Sequence, residues 1–88
     1  MDRWENGMLA KSLAGHDKGK IYVIISQDDR WGYLADGEIR KLENPKKKKK
    51  IHVQLIRRKY EIEEADDVRI KRILKVYRNQ ETGMKEES

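Results

Sequence analysis

The chain has no cysteine and no phenylalanine, and its only proline is Pro45. Without cysteine there are no disulfides, no thiolate nucleophile and no cysteine-based zinc site. Without phenylalanine, bulky contacts fall to six aromatics: Trp4, Tyr22, Trp31, Tyr33, Tyr60 and Tyr77. No apolar run approaches membrane-spanning length, and the opening Met1-Asp2-Arg3-Trp4-Glu5 does not read as a signal peptide. These absences lead us to expect a cytoplasmic protein. Apolar residues make up 36% of the 88 positions, so one thin core is expected and a dry catalytic interior is not.

Charge is abundant, at 42% of residues, and unevenly placed. Between positions 40 and 59 stand ten basic residues: Arg40, Lys41, Lys46, Lys47, Lys48, Lys49, Lys50, Arg57, Arg58 and Lys59. One acid, Glu43, leaves this segment at +9, whereas the whole chain is only +5. A concentrated positive stretch is the footprint expected for a polyanion partner. The plainer alternative is a solvated lysine loop that keeps a small protein soluble.

Residues 8–13 alternate loosely and suit a strand. Residues 14–19 (AGHDKG) carry turn chemistry, with two glycines bracketing Asp17. Residues 20–27 (KIYVIISQ) are β-branched and aromatic, the strongest strand signal in the chain. A third strand is expected over residues 31–35 (WGYLA). Asp36-Gly37 then predicts a type I′ hairpin leading into a short or bulged strand over residues 38–42. Asn44-Pro45 breaks it, and the five lysines after Pro45 are expected to form a loop. Ile51, Val53 and Leu55 alternate on one face of a fifth strand.

After that the period changes. Ile70, Ile73, Leu74 and Tyr77 fall at helical spacing behind Asp66 and Asp67, so a helix is expected over about residues 67–78. The expected organisation is a polar lead-in over 1–6, a barrel over 7–56 and a linker or extra strand over 57–65. A C-terminal helix over 66–78 and a flexible tail over 79–88 complete it. The fold class is all-β: a small barrel of about five strands with one C-terminal α-helix.

Residues 7–25 (GMLAKSLAGHDKGKIYVII) resemble a KOW motif: a strand, a basic glycine-containing turn and a second strand. Gly15 matches the motif glycine, and Lys18-Gly19-Lys20 its basic turn. Leu34-Ala35-Asp36-Gly37, Arg40-Lys41 and residues 44–53 (NPKKKKKIHV) extend the likeness to large-subunit ribosomal KOW proteins of archaea and eukaryotes, and to short bacterial KOW-domain proteins. Residues 66–77 are similar to a helix that some of these carry. The sequence departs from the motif at Ile21-Tyr22, where many members have a glycine, and at Val53-Gln54-Leu55. The resemblance implies a Src-homology-3-like barrel and RNA binding without saying which RNA; ribosomal RNA or a ribosome is the expected partner. With no Ser-His-Asp or Cys-His arrangement in the chain, neither catalytic activity nor a cofactor is expected.

The expected RNA-binding residues are Lys11, His16, Lys18, Gly19, Lys20, Arg40, Lys41, the five lysines at 46–50, His52, Arg57, Arg58 and Lys59. Ammonium groups can follow phosphates without reading bases. A proline followed by five lysines also fits a nuclear-import signal. Trp31 and Tyr33 share a strand face and could stack on unpaired bases or cage a methylated lysine; the plainer expectation is that they fill the core. His16 and His52 have no partners at ligand spacing, so no metal site is expected. The adjacent acid pairs Asp28-Asp29, Glu63-Glu64 and Asp66-Asp67 read as turn and cap residues, not acid–base dyads. A membrane or small-molecule partner is not expected, and the isolated protein is expected to be a monomer. A rival class is a protein-interaction barrel that binds peptides or polymerase-associated factors without touching RNA.

Overall fold

A computed structural model describes residues 3–82, with the backbone alone at 81 and 82. The strands are β1 (Leu9–Ser12), β2 (Ile21–Gln27), β3 (Trp31–Ala35), β4 (Lys46–Lys49) and β5 (Val53–Ile56). A single 3-10 turn, Lys50–His52, separates β4 from β5, and helix α1 spans Asp67–Thr82. All pairings are antiparallel, in the order β4-β3-β2-β1-β5. Ile25 is an extra residue between the pairs Ile24↔Leu34 and Ser26↔Tyr33, a bulge that sharpens the local twist. The curl is deep enough for Lys48 of β4 to reach the carbonyl of Ala14, just past β1, at 2.9 Å. In a flat sheet those strands would stand roughly 14 Å apart. The result is the expected all-β barrel with one C-terminal helix.

Strand alternation sorts the apolar residues into two cores. Met8, Ala10, Tyr22, Ile24, Leu34 and Val53 fill the concave face, with Trp4 and Leu55 at its margin. Leu9, Val23 and Ala35 point the other way and meet Ile70, Ile73, Leu74 and Tyr77 of α1. The helix starts where the carboxylate of Asp66 accepts the N–H of Arg69 at 2.9 Å. Asp67 accepts the N–H of Leu42 at 2.8 Å, which ties the helix start to the loop after β3. The helix continues to Thr82, four residues past the expected end at Arg78 and into the stretch expected as tail. The expected tail from Gly83 onward lies outside the described residues.

The second hairpin is not formed. No strand covers residues 38–42, and only Gly37 of the Asp-Gly pair has positive φ (81°), so the turn is not type I′. The buried carboxylate of Asp36 accepts the N–H groups of Glu38 and Arg40, each at 2.8 Å, and so folds the chain into a local loop. Gly37 is needed for a different reason. A Cβ there would lie 2.3 Å from the Asp67 carbonyl oxygen, so the residue lets the helix start pack against this loop.

The strand that pairs with β3 is the lysine block itself, in the register Trp31↔Lys49, Gly32↔Lys48, Tyr33↔Lys47 and Leu34↔Lys46. Lys46, Lys47, Lys48 and Lys49 are therefore strand residues, not a loop. Ile51, expected on the inner face with Val53 and Leu55, instead sits in the 3-10 turn and is 78% exposed. The stretch 57–65, expected as a linker or an extra strand, contains no strand. It is pinned where Tyr60 N–H donates to the carbonyl of Gly7 at 2.9 Å.

Candidate nucleic-acid interface

The strand period divides the lysine block. Lys46 and Lys48 lie on the concave face, level with Leu34 and Gly32. Their stems run along the barrel margin and their ammonium groups converge on Asp17, in the glycine-bracketed turn between β1 and β2. Lys48 Nζ donates to Asp17 Oδ1 at 3.0 Å and to Ala14 O, and Lys46 Nζ stands 3.5 Å from Oδ2. The buried Tyr22 hydroxyl donates to Oδ2 at 2.6 Å. The Ser12 hydroxyl lies 2.8 Å from Oδ1 and 2.9 Å from Ala14 O, its one proton serving either.

Burial works to raise the Asp17 pKa. The Tyr22, Lys48 and Ser12 hydrogen bonds and the Lys46 charge outweigh it and hold the carboxyl well below its usual 3.8. Burial, and then the Asp17 carboxylate, push the Tyr22 phenol above its ordinary value. Asp17 is thus the clasp between the β1–β2 turn and β4. At sequence level it looked like one more turn residue; its one signal was an acid amid lysines.

Lys47 and Lys49 point to the opposite face with their pair partners Tyr33 and Trp31. Their ammonium groups stand 4.6 and 5.7 Å from the Trp31 ring centre. Trp31 and Tyr33 are half-buried and belong to neither core cluster, so the core-filling expectation fails for both. Alternation puts them on the side of the sheet that carries α1, but the helix contacts end at Ala35. Among the described residues an aromatic and cationic strip therefore remains open. Asp28 shapes its end by accepting the N–H groups of Arg30 and Trp31 at 3.0 and 2.8 Å, with the Tyr33 hydroxyl at 3.3 Å. Those backbone donors lower its pKa, against the opposing effect of burial.

The remaining expected residues are spread wider. Lys11, His16, Lys18, Gly19, Lys41 and His52 are exposed, and Arg40 is half-buried. Lys20 is engaged: it pairs with Asp36 at 2.5 Å and lies 5.3 Å from the Tyr22 ring centre. Lys50 donates to Gln27 at 2.8 Å and covers the Trp4 ring at 4.9 Å. Gln27 in turn donates to the Trp4 carbonyl. Arg58 packs on Tyr77 and donates to Gln80, and Lys59 pairs with Glu5 at 2.8 Å. Those two are thus committed to the helix and the N-terminal segment. Two residues that the motif reading missed, Arg30 and Ile51, join Asp29, Trp31, Lys49 and Lys50 around a cleft of about 430 Å³.

No protein-family model matches the chain, and a search of curated proteins finds no relative. Among the described residues no helix is long and apolar enough to cross a membrane, and no acid–histidine cluster could hold a metal ion.

Proposed function

We propose that this protein is a non-enzymatic RNA-binding module of the KOW type. It would hold structured RNA, in the first place ribosomal RNA, mainly by its phosphate backbone and would work in the cytoplasm beside ribosomes. The observation that carries the reading is the outward face of β4: Lys47 and Lys49 stand beside Trp31 and Tyr33 on sheet surface that α1 leaves open. Cations set along an extended strand can neutralise successive phosphates, and flanking aromatics give bases a surface to meet. Lys18 and the exposed Lys41 add charge within the same small domain.

The mechanism is a clamp, with affinity from counterion release and selectivity from RNA shape. It differs from a uniform lysine brush, because Lys46 and Lys48 are spent on Asp17. The test is binding of the purified chain to ribosomal subunits and to a structured RNA across a salt series. Co-sedimentation, and an affinity that falls steeply with salt, support the proposal. Failure to bind RNA while a peptide or polymerase-associated factor is captured would assign the protein to the interaction-barrel class.

A further inference from the structure

We infer that the cleft beside Trp31 is a subsite for one unpaired nucleotide, its base laid between Trp31 and Ile51 and its flanking phosphates held by Arg30, Lys49 and Lys50. This rests on the RNA-binding reading and goes beyond it, since a backbone clamp needs no base pocket.

Three features point to a nucleotide. The first is the wall chemistry. An indole and an aliphatic side chain, with three cations and one acid, Asp29, around them, match the flat apolar face and charged backbone of a nucleotide, the cations outnumbering the acid. The second is exposure. Ile51 is 78% exposed, follows five lysines and belongs to neither core cluster, so packing does not account for it. The third is preorganisation. Asp28 fixes the backbone at Arg30 and Trp31, and Lys50 N–H donates to the carbonyl of Arg30 at 2.8 Å. That bond locks the turn bearing Ile51 to the turn bearing Arg30, so the walls are set before any ligand arrives.

In the free protein Lys47 and Lys49 stand over the indole ring. Of the two, Lys49 also lines the cleft, so a base stacking on the indole there displaces its ammonium group, which gains a phosphate in exchange. A methylated-lysine cage needs aromatic walls on more than one side. Among the described residues Trp31 is the one aromatic lining the cleft, and the Tyr33 hydroxyl is turned to Asp28.

The experiment titrates the full chain with a ten-residue oligouridylate and with an abasic ribose-phosphate oligomer of equal length, at one salt concentration. The base-bearing probe should bind on the order of tenfold more tightly, the effect of stacking one base. Trp31→Ala and Ile51→Ser should each shrink that ratio, and Trp31→Phe should keep most of it. Ile51 is exposed enough that its replacement does not endanger folding. Equal affinity for the two probes, or an unchanged ratio in Ile51→Ser and Trp31→Ala, would overturn the subsite. If structured RNA still binds with steep salt dependence, the RNA-binding reading survives that result. Loss of binding to every RNA probe would remove both, and selective binding of a trimethyl-lysine peptide would replace the nucleotide with a protein tail.

Discussion

The two faces of the sheet are finished by different chemistry. The convex face is closed by a helix that brings four apolar side chains, Ile70, Ile73, Leu74 and Tyr77, onto Leu9, Val23 and Ala35. The concave face is filled by Tyr22, Ile24 and Leu34, but at the β4 margin it is sealed by an acid, two hydroxyls and two lysines. The first closure gains stability from removing apolar area from water. The second gains much less, because each charge loses hydration before it gains a partner. What it supplies is placement. An edge strand of lysines resists pairing with another chain, and fixing alternate lysines inward aims the others at solvent.

The contrast can be broken most severely on the helix side. Ile73 is 1% exposed, and Ile73→Ala should cost about 2–5 kcal/mol, a large share of a small domain's stability. Thermal melting would read it as a sharp fall in Tm. Amide exchange in residues 67–78 should be slow in the free wild-type protein. Fast exchange there, with the sheet protected, would mean that the helix does not close this face. Gly37→Ala probes the same junction from the sheet side. Its Cβ would meet the Asp67 carbonyl at 2.3 Å in a left-handed backbone, so about 1–3 kcal/mol should be lost. An unchanged melt would show that the loop and helix start can part freely.

On the charged side, Asp17→Asn should cost about 1–3 kcal/mol, because the ammonium of Lys48, on a side chain only 12% exposed, would lose its counter-charge. Lys48→Met should cost less: the thioether chain can fill the same margin, and Asp17 keeps Tyr22 and Ser12 as donors. The pH dependence follows from the depressed Asp17 pKa. Its stabilisation is fully present above the ordinary value of 3.8 and is lost as pH falls below that toward the folded-state value. The wild type should therefore lose stability below about pH 4, and Asp17→Asn should flatten that part of the curve. Parallel acid limbs for the two proteins would remove Asp17 from its role as clasp.

How much of this was legible in the sequence differs between the two closures. The helix stripe announced itself by spacing, and β1, β2 and β3 by alternation or β-branched content. β4 could not, since four identical residues carry no binary pattern and lysine is a poor strand former. Its inside–outside period lies in the surroundings: Asp17 on one side, Trp31 on the other. Asp36-Gly37 misled because the dipeptide marks a positive-φ glycine without saying what requires it. Here it is the approach of α1, contributed from some thirty residues downstream. The basic turn and the lysine block were visible as a candidate site. Arg30 and Ile51 were not, since a lone arginine in a turn and a lone isoleucine after lysines have no motif until the 3-10 turn brings them together.

The finest test of the comparison uses the two halves of the lysine strand against each other. If all of the lysines from 46 to 49 act alike on phosphate, any two replaced by serine should lower the salt slope equally. The alternation predicts otherwise. Lys47→Ser with Lys49→Ser should leave the melt nearly unchanged, because both side chains are exposed and their cation–π contacts with Trp31 contribute about 0.5–1 kcal/mol. The log–log salt slope for RNA binding should flatten by roughly 0.7 per lost contact on single strands. Lys46→Ser with Lys48→Ser should show the reverse: a lower Tm as the Asp17 clasp opens, and a smaller change in slope because those charges already face a carboxylate. Measuring both pairs in one salt series separates charge that holds the barrel from charge left at the surface for a polyanion. Equal slopes and equal melts would mean that the lysines exchange partners freely, and that strand alternation does not govern what they do.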